Sequence, residues 1–392
     1  MQLGGRDYRL LLAMRLLRGF VFGFSPVIIG IHLQGHGFSG FQVGLIITLA
    51  LLSASAAGLG VAWISNRVGR KGTLAMVGGL MVVSGIALSF GSSLWLVILA
   101  ALTGMMGAGG TDLGPFLPVE QAILTQSVSP ERRNLAFGRY SLAGALASAA
   151  GSLLAAVGTD DMRRILLFLL FAAVGAVTAI LALSLSTKIE ASIPEARFLT
   201  SGPVVPLAGL IALDAFGSGL VNTSVLAFWL HVRFGAGLEV LGPAFAAMSL
   251  VVAGSYEIAA RLGNRFGLVN TMVFTHLPSN LILFLVALSP TLPIAIAWLL
   301  IRNAMSQMDV PVRQAYIASV VPESQRSAAL GMTAAVRGVA QACGPVVSGA
   351  AIQVARFSIP LIAGGTVKSI YDIGLYLGYR RRPAEHERPA RP

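Results

Sequence analysis

The charges that could do chemistry in this sequence are few, and they sit in apolar surroundings. Arg18, Asp112, Asp214, Arg302 and Arg337 each interrupt a long hydrophobic run. At the centre of a membrane helix a charge costs roughly 2.5–3.5 kcal/mol on insertion scales, so it persists where a cavity or a partner compensates it. Asp214 lies about ten residues into its run, roughly 15 Å deep at the helical rise, and its side chain is too short to reach a surface. The arginines carry planar forks suited to gripping a carboxylate or phosphate through two parallel hydrogen bonds. Arg18, Arg302 and Arg337 set against Asp214 leave the mid-depth charge net positive, which favours an anionic ligand; the alternative is that each arginine is neutralised locally. These four are the candidate binding residues.

Proton exchange needs a buried acid, and Asp112 and Asp214 are the candidates. Asp112 follows Gly107, Gly109 and Gly110 and precedes Pro115 and Pro118. Glycine permits close packing or unwinding and proline frees carbonyls, so an irregular helix is expected there. Asp112 is then either a proton or cation site or the partner of an arginine. Other charges read as structural pairs: Asp309 with Arg313 and Glu257 with Arg261, each four apart on a helix, and Glu120 with Arg139 at the ends of adjacent helices. His32, His36 and His231 cross a helix end without a metal-binding spacing, so no metal ligand is assigned. No phosphate-cradling loop, nucleophile elbow or nucleophile–base pair is discernible; neither an enzyme nor an ATP-driven pump is indicated, and no cofactor is expected. A lone Cys343 excludes an internal disulfide framework.

The elements that must position these residues follow from composition. Hydrophobic residues make up 55% of the 392 residues and charged ones 11%, with mean hydropathy +0.79; soluble proteins carry about 25% charge. Apolar runs of about 20 residues separated by short polar gaps specify membrane-crossing helices, not alternating barrel strands. The fold class is all-α and polytopic, with twelve spans near 9–33, 41–64, 73–92, 94–126, 134–157, 163–185, 203–230, 238–262, 268–288, 293–319, 327–354 and 358–378. Residues 1–185 form one six-helix bundle, 186–202 a polar connector, 203–378 a second bundle, and 379–392 a basic tail. The net charge of +12 is dispersed over short loops. That pattern fits the positive-inside rule better than a nucleic-acid surface, and it puts both termini in the cytoplasm. The first apolar run, holding Arg15 and Arg18 with no small-residue cleavage site after it, reads as the first span, not a signal peptide.

The two bundles are one unit written twice. Asn66-Arg67-Val68-Gly69-Arg70-Lys71 returns as Asn264-Arg265-Phe266-Gly267, and Pro118-Val119-Glu120-Gln121-Ala122 returns as Pro311-Val312-Arg313-Gln314-Ala315. Two six-helix halves of equal orientation form a parallel repeat. In this the chain resembles the major facilitator superfamily over nearly its whole length. The family's basic signature between its second and third helices is matched by Asn66, Arg67, Gly69, Arg70 and Lys71, with Ala62 and Asn66 where the family has Gly and Asp. The resemblance implies a loop that stabilises one conformation, repeated at Asn264, Arg265 and Gly267. It also implies first and seventh helices that line a central cavity, where Arg18 and Asp214, which correspond across the repeat, could meet or bind solute together. Ser152 stands where the antiporter subgroup has proline, which weakens a drug-efflux assignment.

The function expected is secondary transport of a small organic solute across the cytoplasmic membrane by alternating access, proton-coupled, with efflux the direction the resemblance implies. A multidrug or amphiphile exporter is one alternative; a transporter-shaped scaffold or sensor is another. The partners expected are a small solute and the bilayer, with no nucleic acid, and the chain is expected to act as a monomer.

Overall fold

The computed structural model describes residues 5–91, 93–110, 114–128, 133–190, 204–319 and 326–380. Within them the chain is helical, with no strand. Helix α1 is Arg6–Gly35, and α2 is Gly40–Ser89, opened by a capping box in which Ser39 and Gln42 exchange side-chain and backbone bonds. Gly69 breaks α2 with φ 78° and ψ 164°, so this one run of 50 residues holds the second and third spans. That backbone region is essentially closed to residues with a Cβ. Gly267 takes nearly the same angles, φ 85° and ψ 156°, between α9 (Leu238–Phe266) and α10 (Leu268–Leu288). The repeated glycine therefore makes the same turn twice.

Among the described residues, four spans are interrupted. The fourth is α3 (Leu94–Leu102) and α4 (Phe116–Ser127), with Gly104, Gly107, Gly110 and Gly114 all at positive φ between them. This is the irregularity expected from the glycines; Asp112 itself lies outside the described residues. The seventh is α7 (Val204–Leu220) and α8 (Thr223–Phe234), the tenth α11 (Leu292–Ser306) and α12 (Asp309–Ser319), the eleventh α13 (Arg326–Ala342) and α14 (Gly344–Gln353). The rest are α5 (Arg133–Leu154), α6 (Asp161–Leu183) and α15 (Ser358–Tyr379). Large apolar side chains such as Trp95, Leu288 and Phe274 stay exposed, as a hydrocarbon solvent requires. The chain is an integral, multi-pass membrane protein.

The chain divides into two compact units, residues 1–195 with 222–246, and residues 196–221 with 247–392. The division differs from a clean cut in the connector because the seventh span breaks at Val221-Asn222. Asn222 caps α8, its Oδ1 accepting from Val225 N at 2.8 Å, and Ser224 Oγ donates to Ala108 O at 2.7 Å. These bonds, and packing on α1, place α8 in the first unit.

Candidate functional site

In the first unit, α1 brings Arg18 against α4. Its Nη1 and Nη2 donate to Glu120 Oε1 and Oε2 at 2.7 and 2.5 Å, and both side chains are fully buried. Tyr140 from α5 also donates to Glu120, and the Phe116 ring lies 4.0 Å from the Arg18 guanidinium carbon. Glu120 therefore does not pair with Arg139, which is exposed on α5 one position from Tyr140. The α-helical turn points Tyr140 inward and its neighbour outward. Arg18 is thus neutralised inside its own unit, as one of the two sequence readings allowed.

The second unit gathers far more charge. From α7, Asp214 Oδ1 accepts from Lys368 Nζ of α15 at 2.6 Å and lies 3.6 Å from His276 Nε2 of α10. Its Oδ2 accepts from Arg337 at 3.0 Å and Arg313 at 3.4 Å. Arg313 also pairs with Asp309 across one turn of α12. Lys368 reaches Ser218 Oγ at 2.8 Å, running beside Gly217, where an added Cβ would sit 2.6 Å from the lysine Cγ. Behind the hub, Asp372 accepts from His276 Nδ1 at 2.9 Å and from Asn280 at 2.8 Å, so the imidazole presents its other nitrogen to Asp214.

Arg302 completes the cluster. It is 7% exposed and within electrostatic reach of Asp214 and Lys368, and among the described residues its buried Nε has no hydrogen-bond partner. Three carboxyl groups (Asp214, Asp309, Asp372) thus face four basic side chains (Arg302, Arg313, Arg337, Lys368), one more base than acid. Arg337, with its side chain 28% exposed, is the most accessible basic member of the cluster. A buried guanidinium N–H without an acceptor is costly, and a ligand carboxylate or phosphate would satisfy it.

Three of the four candidate binding residues, Asp214, Arg302 and Arg337, belong to this one cluster; Arg18 belongs to the Glu120 pair. Asp309 and Arg313, read as a structural couple, are joined to the hub through Asp214. Sequence reasoning missed Lys368, Asp372, His276 and Asn280. Lys368 and Asp372 stand four apart inside the last span, so the cost of intramembrane charge was the available signal.

The basic loop of the first unit is held by an acid. Glu190 accepts from the backbone N–H of Arg70 at 2.6 Å and of Lys71 at 3.1 Å, the donors that the Gly69 turn exposes at a helix start. The Arg70 side chain bonds to Gln126 at 2.7 Å and Ile189 O at 3.0 Å, while Arg67 stacks 3.7 Å over Trp63 and Asn66 is exposed. In the second loop Arg265 and Arg261 are exposed; the side chains of Asn264 and Glu257 lie outside the described residues.

A repeated, interrupted all-α membrane bundle with a buried ion cluster defines a membrane transporter fold. The chain belongs to the Major Facilitator Superfamily, whose sequence pattern matches residues 11–301 and again 207–392. It is similar to an uncharacterized membrane protein of Saccharomyces cerevisiae, 22% identical, over 88% of this chain and 87% of that one. Its fold is similar to the nucleoside transporter NupG, with TM-score 0.72 at 12% identity over 96% and 100% of the two chains. It is also similar to the human organic anion transporter MFSD10, with TM-score 0.67 at 18% identity over 94% and 99%. The family consists of transporters and not enzymes.

Proposed function

We propose that this protein is a secondary transporter for a small organic solute bearing a carboxylate or phosphate, working by alternating access, and that the second unit's ion cluster recognises that group. One observation carries the reading: Arg302 is buried beside a cluster with basic side chains in excess, and its buried Nε has no hydrogen-bond partner among the described residues. The organic anion transporter of like fold agrees with this charge assignment. An anion taken by Arg302 together with Arg337 and Lys368 competes with Asp214 for the last two donors, and Asp214, losing them, takes up a proton. Solute and proton then travel together. Cotransport therefore fits the geometry better than the export expected from the resemblance. The basic residues placed towards the terminal ends of the helices support cytoplasmic termini in the cytoplasmic membrane.

The test uses purified protein and proteoliposomes. Organic anions, cations and neutral amphiphiles are compared by thermal shift, because a ligand that binds the native state raises its apparent stability. Anions should stabilise the wild type and lose the effect in Arg302→Gln. Anion uptake should follow an imposed pH gradient and become indifferent to it in Asp214→Asn. Stabilisation by cations alone, or gradient-driven uptake unchanged in Asp214→Asn, would overturn the reading.

A further inference from the structure

A second cluster of ligating groups lies in the first unit, at the end of α1 remote from Arg18. His32 is fully buried, and its Nε2 is 3.0 Å from Leu88 O, so that nitrogen carries the proton and donates to the carbonyl. Its Nδ1 then holds a lone pair, and this buried atom has no hydrogen-bond partner. One turn on, His36 Nδ1 donates to His32 O at 2.9 Å, which leaves a lone pair on Nε2. Both lone pairs face one carboxylate: His32 Nδ1 is 3.6 Å from Asp161 Oδ1, and His36 Nε2 is 3.6 Å from Asp161 Oδ2. The three groups offer ligand atoms that all lie within 4.8 Å of one another.

Lone pairs aimed at a carboxylate repel it unless a cation lies between. A tetrahedral metal with bonds of about 2.0–2.1 Å holds its ligand atoms roughly 3.4 Å apart; the two nitrogen–oxygen distances of 3.6 Å come close to this, and the full set, within 4.8 Å, would draw together around the ion. Each imidazole donates its other N–H to a backbone carbonyl, the arrangement that fixes tautomer and ring direction in protein metal sites. Two imidazoles and a carboxylate suit a first-row divalent ion such as Zn²⁺ or Cu²⁺ and not Mg²⁺ or Ca²⁺. Asp161 is half exposed and gives the ion a way in from water. Arg164, whose Nη2 is 3.5 Å from Asp161 Oδ1, is the competing cation that a metal would displace from that oxygen.

We propose that His32, His36 and Asp161 form a transition-metal site of the Zn²⁺ type, separate from the solute cluster, that ties the last turn of α1 to the first turn of α6. The metal would replace the Arg164 contact and leave a fourth position for water.

The test is Zn²⁺ titration of the full-length protein, purified without a polyhistidine tag, by calorimetry and by metal analysis after desalting. The wild type should hold one ion per chain and gain several degrees in thermal midpoint. His36→Ala and Asp161→Asn, both at part-exposed positions that spare folding, should weaken binding by about tenfold or more; Arg164→Gln should tighten it. Co²⁺ should give a visible d–d band in the wild type that both variants lose. Cys343→Ser should bind as the wild type does. Absence of saturable Zn²⁺ binding would overturn the proposal, as would equal binding by the wild type, His36→Ala and Asp161→Asn, which would assign the ion to other side chains. A thermal midpoint insensitive to Zn²⁺ but falling with rising pH through the histidine range, and only while Asp161 is present, would identify a protonated ion pair and equally overturn it.

Discussion

In the first unit an arginine on α1 faces a glutamate on α4; in the second an aspartate on α7 faces an arginine on α12. Arg18 and Asp214 correspond across the repeat at a displacement of 196, and Glu120 and Arg313 at 193, so these are one ion pair with its signs exchanged. Their surroundings differ in a consistent direction. Phe116, under the Arg18 guanidinium, corresponds to Asp309, which pairs with Arg313. Phe22 and Phe171, whose rings lie 5.7 Å apart, occupy the places of Ser218 and Lys368, which share a hydrogen bond of 2.8 Å. Among the described residues, one half closes its pair with aromatic rings and the Tyr140 hydroxyl; the other surrounds it with further charge and leaves the Arg302 Nε unsatisfied. A pair sealed in apolar packing holds structure, and one embedded in exchangeable partners can change them.

The largest effect on stability should come from the sealed pair. Glu120→Gln strands a buried guanidinium, and breaking one side of such a pair costs about 3–5 kcal/mol. The expected outcome is a large drop in unfolding midpoint in detergent. The exchanged variant Arg18→Asp with Glu120→Arg, which copies the arrangement of the second unit, should regain more than half of the loss. A double variant no better than Glu120→Gln would show that the two pairs are not equivalent.

The turn glycines rank next. Gly69→Ala and Gly267→Ala each force a Cβ into a backbone region that costs of order 1–3 kcal/mol. Gly69→Ala should cost more than Gly267→Ala, since its Cβ would come within 2.9 Å of Glu190 Oε2, the oxygen that accepts from Arg70 N. Glu190→Ala should narrow that difference by emptying the space. Equal costs with Glu190 present would remove the acid from any part in locking the first loop.

Much of this architecture is legible in the amino-acid sequence. The repeat identifies the two turn glycines, because only glycine serves that backbone, and hydropathy places the spans, because hydrocarbon admits little else. The cost of buried charge points to Asp214, Arg302 and Arg337 but not to their partners. Partner choice depends on which helix faces which, so Glu120 reads as a match for nearby Arg139 while the inward face of α1 supplies Arg18. Lys368 and Asp372 obey the same cost rule and are readable from the last span alone. The His32, His36 and Asp161 triad is not, since Asp161 is distant in sequence and its spacing carries no motif.

The smallest stability effect, and the most informative for function, belongs to the open pair. In Lys368→Met, Asp214 keeps Arg337 at 3.0 Å, Arg313 at 3.4 Å and His276 at 3.6 Å, so the carboxylate is not stranded. The loss should be about 1.5 kcal/mol, the lower end of what a hydrogen bond to a charged group contributes, because three basic neighbours stay with the carboxylate. Ser218 loses its partner, and the methionine refills most of the lysine's volume beside Gly217. Transport should respond out of proportion, with gradient-driven uptake of the anion abolished, because the donor that an anion would take from Asp214 is gone. A variant as unstable as Glu120→Gln, yet still transporting, would mean that the second pair is as sealed as the first and that the extra charges around it serve packing alone.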